Sequence, residues 1–269
     1  MSFVNPKLGK NGLLYLNLEL NPNFNFQGVV LDFETTSYDT EKGEIICAGF
    51  VYKNRATVVV RTLKLSKENF YEILKKFIKN LKETYGDLYA YNAPFEESWL
   101  RTHLNLPLKV KEIMKPAKGI TYKLRDLKGK HKTPKLRELI HPRFFHYFGF
   151  TDWDIDSSEV QELWEEHLKS GNLEPLTLIV QHNLLDILSE LELLLIWNPF
   201  MEEFLNNRRT VKEFSNLRCS ICGKEKPIEE LAVITYPERK KDKGFRFREV
   251  RVCLECLIKL NAEKFLTSK

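Results

Sequence analysis

The segment Gly28-Val-Val-Leu-Asp-Phe-Glu34 most limits how this chain can fold. Its β-branched and apolar residues over 28–33 read as a strand in the middle of a sheet. Side chains two apart on a strand point to one face, so Asp32 and Glu34 stand together at its end. Two carboxylates on one face of a buried strand repel and lose hydration unless a cation neutralises them. Mg2+ or Mn2+ meets that need, because both take oxygen ligands. A plainer reading, in which one carboxylate caps the Thr35-Thr36-Ser37 turn and the other faces water, stays open from this segment alone.

The rest of the chain sets that strand in an α/β frame. Leu13 to Leu20 alternates apolar and polar residues and predicts a short strand or hairpin leading into the fold. Glu44 to Tyr52 and Ala56 to Leu63 read as two strands joined at Lys53-Asn54, a hairpin signal. Ser66 caps a predicted helix over 67–85, where Phe70, Ile73, Leu74, Phe77, Ile78 and Leu81 recur at helical spacing. Asp87 to Tyr91 is a fourth strand, Pro94 to His103 a short helix, and Lys109 to Met114 a fifth strand. Ser157 to Lys169 predicts a helix closed by Gly171, and Leu173 to Trp197 a long one stopped by Asn198-Pro199. Three hairpin-linked strands before the first crossover argue for a mixed sheet flanked by helices, arranged as in RNase H-like folds.

Two further groups add chemistry. Tyr91-Asn-Ala-Pro-Phe-Glu96 is a strand end followed by a helix start, which places Glu96 and Glu97 in the first helical turn. There they could simply compensate the helix dipole, worth about 0.3–1 kcal/mol. His182 and Asp186 are i and i+4 on the long helix and share a face amid Leu178, Ile179, Leu185 and Leu188. A buried Asp needs a partner, so the pair is either a core hydrogen bond or a metal ligand beside a general base.

Taken in order and spacing, Asp32-Phe-Glu34, Tyr91 to Glu96 and His182-x3-Asp186 resemble the three motifs of the DEDD 3′–5′ exonucleases. The nearest branch in pattern is the YprB-like, RNase H-like exonucleases, which Lys135-Leu-Arg-Glu-Leu, Asp154 to Val160 and Ile179 to Asp186 also resemble. The resemblance covers about residues 28–197. It implies phosphodiester hydrolysis with two Mg2+ or Mn2+ ions. Asp32 would bridge the two ions, Glu34 and Asp186 would complete the ligand set, and Glu96 would hold the second ion. His182 would orient or deprotonate water, while Asn92 and Phe95 would position the terminal nucleotide. Two departures stand out. The family usually has Asp at the position of Glu96, and its last motif is usually Tyr-x3-Asp or His-x4-Asp.

The cysteines divide into Cys47, alone in an apolar strand, and the pairs Cys219-x2-Cys222 and Cys253-x2-Cys256, separated by 30 residues. Two such pairs predict one structural Zn2+ held by four thiolates. Two disulfides are the alternative, but cysteines three apart rarely form structural bridges. The hairpin between the pairs ends in Phe245-Arg-Phe-Arg248, which suits nucleic acid or docking onto the main domain equally well.

The formal net charge is +5. Between Lys109 and Arg137 eleven Lys or Arg stand against Glu112 and Asp126, a polyanion-binding signal. Lys128, Lys130 and Lys132 are its candidate phosphate contacts. The expected partner is DNA or RNA, as a single-stranded 3′ end. No apolar run approaches the ~18 residues of a membrane span, and the first residues carry no apolar signal core, so the expected location is cytoplasmic. The expected organisation is an N-terminal extension (1–27), an RNase H-like exonuclease domain (28–200), a helical connector (201–216) and a zinc ribbon (217–269). Two other readings fit the same residues, a nucleic-acid-binding protein with an inactive nuclease core and a structure-selective endonuclease.

Overall fold

A computed structural model describes residues 5–20, 25–113, 155–194, 218–219, 222–226, 231–239, 245–253 and 256. The chain divides into two compact units. The first comprises residues 1–112 and 148–191, the second 113–147 and 192–269.

The first unit is a mixed seven-stranded sheet flanked by helices, the RNase H-like arrangement expected from the sequence. Its strands are β1 (Lys7–Leu8), β2 (Leu13–Glu19), β3 (Phe26–Thr35), β4 (Ile45–Lys53), β5 (Arg55–Arg61), β6 (Leu88–Ala90) and β7 (Val110–Glu112). They lie in the order β1-β2-β5-β4-β3-β6-β7. The alternating segment Leu13–Glu19 is a full member of this sheet, antiparallel to β5. β4 and β5 form the hairpin around Lys53-Asn54, with Tyr52 opposite Arg55 and Lys53 at a φ of 53°. β3 lies between antiparallel β4 and parallel β6, so the carboxylate-bearing strand is central.

Helix α1 (Lys67–Tyr85) begins where its cap requires. The Ser66 side chain accepts from the Asn69 N–H at 3.2 Å, which satisfies one orphan donor of the first turn. The helix buries Phe70, Leu74, Ile78 and Leu81. Together with Trp99 and Leu100 of α2 (Ala93–Leu104), they form one core cluster with Val29, Leu31 and Phe33 of β3. Alternation along β3 places Asp32 and Glu34 on the opposite face. Helix α3 (Glu159–Ser170) ends at Gly171, whose φ of 71° is the left-handed cap that glycine favours. Its His167 is buried and clips the helix to the sheet region. Nε2 accepts from the Leu63 N–H at 3.3 Å, so Nδ1 carries the proton and donates to the Asn172 carbonyl at 2.6 Å. Helix α4 (Glu174–Glu192) is the long apolar helix. Among the described residues no helix is long and apolar enough to cross a membrane.

In the second unit, β8 (Leu231–Arg239) and β9 (Phe245–Cys253) form an antiparallel ribbon. The register sets Arg246 opposite Glu238 and Arg248 opposite Tyr236. Lys128, Lys130 and Lys132, most of the basic stretch and the connector 201–216 lie outside the described residues.

Candidate metal centre

The central strand, α2 and α4 together carry five carboxyl groups that interact electrostatically. Asp32 and Glu34 come from the end of β3 and Glu96 from the first turn of α2. Asp186 and Glu190 come from α4, one turn apart. The C-terminal ends of parallel strands are where α/β sheets place their sites, because chain reversals leave a crevice there. β3 and β6 meet that description.

α4 can sit against β3 and β4 because Gly49 has no side chain. Gly49 is the cross-strand partner of Asp32. A Cβ there would fall 2.0 Å from Asn183 Oδ1 and 2.8 Å from Ile187 Cγ2. Through that gap Asn183 Nδ2 donates to Asp32 Oδ2 at 2.7 Å, and it also lies 3.3 Å from Glu34 Oε1. Asn183 thus ties the two β3 carboxyls to α4. The neighbouring His182 is 3% exposed. Its Nε2 lies 3.8 Å from Glu34 Oε1 and 3.7 Å from Asp186 Oδ2. Ligand atoms about 2.1 Å from one ion lie at most about 4.2 Å apart, so both spacings leave room for a common cation.

The two acids of the α2 turn have separate fates. Glu96 is 2% exposed, and its Oε2 has no hydrogen-bond partner among the described residues. Glu97 turns to the edge strand. Its Oε1 accepts the Val110 N–H at 3.0 Å, and its Oε2 lies 3.5 Å from Lys109 Nζ. Glu96 is therefore the member of the pair that joins the β3 carboxyls. Asn92 stands at the N-cap of α2 without a side-chain capping bond. Phe95 packs on Trp99 with ring centroids 5.9 Å apart, and it meets Tyr38 edge-on at 6.1 Å. Tyr38 follows β3 and is 88% exposed.

Asn183, Glu190 and Tyr38 are absent from the motif set read in the sequence. Asn183 and Glu190 sit in a leucine-rich helix, where a polar residue reads as a break in the apolar face. Tyr38 is one aromatic in a polar turn. The sequence signal was the polarity itself, since a buried polar group in a greasy helix requires a partner.

Burial pushes the Asp32 carboxyl up to about 6, offset in part by His182 and by hydrogen bonds with Glu34 and Asn183. Burial and then the Asp32 charge push Glu34 up to about 8, with Asp186 adding to the rise. Glu96 is held well above the usual carboxylate range by burial, then by Asp32 and Glu34. Glu190 is held there by burial, then by Asp32, Glu96 and Asp186. These acids resist ionising together because each raises the free energy of its neighbours' charged form. The oxygen-rich donor set and the orphaned Glu96 Oε2 fit hard divalent cations such as Mg2+ or Mn2+.

A pH dependence follows. Unfolded Asp32 and Glu34 would titrate near 3.8 and 4.5, but in the fold they do so at about 6 and about 8. Between those values the folded chain holds more protons than the unfolded one, so its stability falls as pH rises. The metal-free protein is expected to lose melting temperature between about pH 5 and 8. Over the same window the rise produced by Mn2+ should grow, since the ion must displace those protons. Thermal melts across a pH series, with and without Mn2+, check this. A profile flat in both conditions would count against the assigned carboxyl pair.

The second unit brings Cys219, Cys222, Cys253 and Cys256 together, with all four Sγ atoms within 4.8 Å of one another. Cys222 and Cys253 are 3.9 Å apart at sulfur, and none of the four is disulfide-bonded. A tetrahedron with arms of about 2.3 Å has edges of about 3.8 Å, so the 3.9 Å pair suits two thiolates on one zinc ion and is too long for a disulfide. A tight turn supports the first pair. The Gly223 N–H donates to the Cys219 carbonyl at 2.9 Å, and the Cys253 N–H donates to Cys219 Sγ at 3.3 Å. The cluster is compatible with a small zinc-binding domain.

The family model of the RNase_H superfamily matches residues 29–198, the span that carries every residue of the carboxylate centre. The chain belongs to the RNase_H superfamily. That membership supports nuclease activity in general. Solved structures similar to it include two of low sequence identity. One is the family B DNA polymerase from the hyperthermophilic archaeon Pyrobaculum calidifontis, at 17% identity and a TM-score of 0.42, covering 64% of this chain and 24% of the polymerase. The chain thus spans about a quarter of that polymerase's length. The other is described as the apo form of a nuclease, at 11% identity and a TM-score of 0.34, covering 70% of this chain and 89% of that one. No curated protein matches the chain.

Proposed function

We propose that this RNase_H superfamily protein is a divalent-metal-dependent 3′–5′ exonuclease of the DEDD type, in the YprB-like branch, acting on single-stranded 3′ ends of DNA or RNA. The observation that carries the reading is the part-buried Asp32 beside the buried Glu34 and Glu96, where Asp32 raises the pKa of both glutamates and Glu34 that of Glu96. A purely structural core has no use for so many mutually repelling acids. Asp32, Glu34, Glu96 and Asp186 would hold two Mg2+ or Mn2+ ions. Such ions, when bound, supply Lewis-acid activation of water and of the scissile phosphate.

The chain's own groups do the rest. Asn183 orients the Asp32 carboxylate through its 2.7 Å hydrogen bond. His182 accepts a proton from the attacking water and is held beside Glu34 and Asp186, whose charges stabilise the imidazolium that forms. The exposed Tyr38 and its neighbour Phe95 offer aromatic surfaces on which terminal bases stack. The Asn92 side chain, not engaged as a cap, is available to a nucleotide hydrogen bond. Residues 28–200 form the nuclease domain in this reading. Residues 217–269 form a ribbon closed by one structural Zn2+ on the four cysteines.

A labelled-oligonucleotide assay tests the proposal. With Mg2+ or Mn2+, 5′-labelled single-stranded DNA and RNA should be shortened from the 3′ end in a ladder that a chelator suppresses. Internal cuts would assign an endonuclease, and metal binding with no cleavage would assign an inactive core.

A further inference from the structure

Phe95, Trp99 and His103 recur every four residues along α2, so they share one face of the helix. Their rings form a continuous column. Phe95 and Trp99 lie 5.9 Å apart at their centroids, and Trp99 and His103 are stacked at 4.7 Å with their planes 16° apart. The loop that joins β3 to β4, residues 36–44, is laid along this column. A carbonyl can only accept, so His103 Nε2 carries a proton and donates it to the Thr40 carbonyl at 2.8 Å. A Cβ on Gly43 would fall 2.8 Å from Trp99 Cη2, so the loop backbone rests directly on the indole. Tyr38 closes the column at its other end, edge-on to Phe95 with centroids 6.1 Å apart.

The loop is also bonded to itself. Thr36 and Glu44 exchange two hydrogen bonds across its neck, at 3.1 and 3.0 Å, and the Gly43 N–H donates to the Asp39 carbonyl at 2.9 Å. Tyr38 is therefore 88% exposed on a loop that is braced on both sides of it. A ring held this way gives up conformational freedom with almost no burial in return. Its open face is pre-organised for a flat partner. Position says which partner. Phe95 immediately precedes Glu96, and Tyr38 follows Glu34 by four residues, which keeps those two Cα atoms within about 14 Å. A nucleic-acid strand with a phosphate at the carboxylates has a base within reach of Tyr38.

We propose that Tyr38 selects single-stranded nucleic acid, its ring stacking on a base beside the carboxylate centre, and that His103 is the positioning residue that holds it there through Thr40. The inference rests on the nuclease reading and deepens it from a class of substrate to the residue that discriminates that class. A base in a duplex is already stacked and paired, and it would have to leave both to reach Tyr38. A single-stranded base reaches it at little cost.

The test is binding of one fluorescent single-stranded DNA, and of its blunt duplex, to the full chain, followed by anisotropy with no added Mg2+ or Mn2+. Tyr38→Ala should weaken single-strand binding about tenfold and change duplex binding by less than about twofold. Tyr38→Trp should bind single strands at least as tightly as wild type. Tyr38→Leu, apolar but not flat, should fall with Tyr38→Ala. His103→Phe keeps a ring on Trp99 but loses the N–H to Thr40, whereas His103→Gln keeps a donor and loses the ring. The Gln variant should therefore bind single strands more tightly than the Phe variant; a packing role predicts the reverse order. Combining Tyr38→Ala with His103→Phe should weaken binding no further than Tyr38→Ala alone, because His103 acts through Tyr38. Wild-type single-strand affinity in Tyr38→Ala, or an equal loss on duplex, would overturn the assignment. A selective single-strand loss in Tyr38→Ala, from a wild type that cleaves nothing with Mg2+ or Mn2+, would sink the nuclease reading and leave Tyr38 standing as a base-stacking residue.

Discussion

Asp32→Asn is expected to abolish cleavage, slowing it at least about a thousandfold, while the metal-free protein stays as stable as wild type or becomes more so. Asparagine has nearly the same shape and can still accept from Asn183 through its own carbonyl oxygen. What it lacks is the negative charge. Asp32 raises the carboxyl pKa of Glu34, Glu96 and Glu190. Removing it relaxes the whole cluster in the absence of metal and removes a central ligand in its presence. Activity and stability should therefore move in opposite directions, which a simple packing residue would not produce. Oligonucleotide cleavage and thermal melts of the same preparation measure both. A wild-type rate in Asp32→Asn would exclude the assigned centre, and a large drop in metal-free melting temperature would make Asp32 structural.

Gly49→Ala should be the most damaging small substitution away from the carboxylates. The added Cβ would meet Asn183 Oδ1 at 2.0 Å and Ile187 Cγ2 at 2.8 Å, and both belong to a helix packed on the sheet. Overpacking of this kind costs about 1–3 kcal/mol, and more where the obstacle is part of a rigid element. Relief requires α4 to lift or Asn183 to swing away, and either breaks its 2.7 Å bond to Asp32. Stability and cleavage should fall together. Adding Asn183→Ala to Gly49→Ala removes the shorter contact, so it should recover part of the stability and none of the activity. Urea denaturation and the cleavage assay on the single and double variants distinguish this from a general loss of fold. Recovery of activity in the double variant would show that Asn183 does not orient Asp32.

Several features were legible because they depend on local chemistry. Ser66 and the apolar spacing after it marked helix α1, whose bounds are Lys67–Tyr85. Lys53-Asn54 marked the hairpin, and the period of two along β3 placed Asp32 and Glu34 on one face. The helical period likewise placed His182 and Asp186 side by side, and the two Cys-x2-Cys pairs met as four sulfurs in one cluster. Each needs only the geometry of one element, or the bonding demand of one atom type.

The remaining features depended on how elements dock. Glu96 and Glu97 are neighbours in one helical turn, about 100° apart around its axis. Only the rotation of α2 against the sheet sends Glu96 inward and Glu97 to the Val110 N–H. In the sequence nothing separates Gly49 from any other strand glycine, and its role depends on α4 packing against it. Asn183 and Glu190 read as interruptions in a leucine-rich helix, because a helical wheel shows which residues share a face and not what that face meets. By itself the sequence determined the strands and helices and which acids stand side by side within each one. The tertiary structure decided which of those acids converge, since burial and mutual repulsion arise only when separate elements close around the same volume.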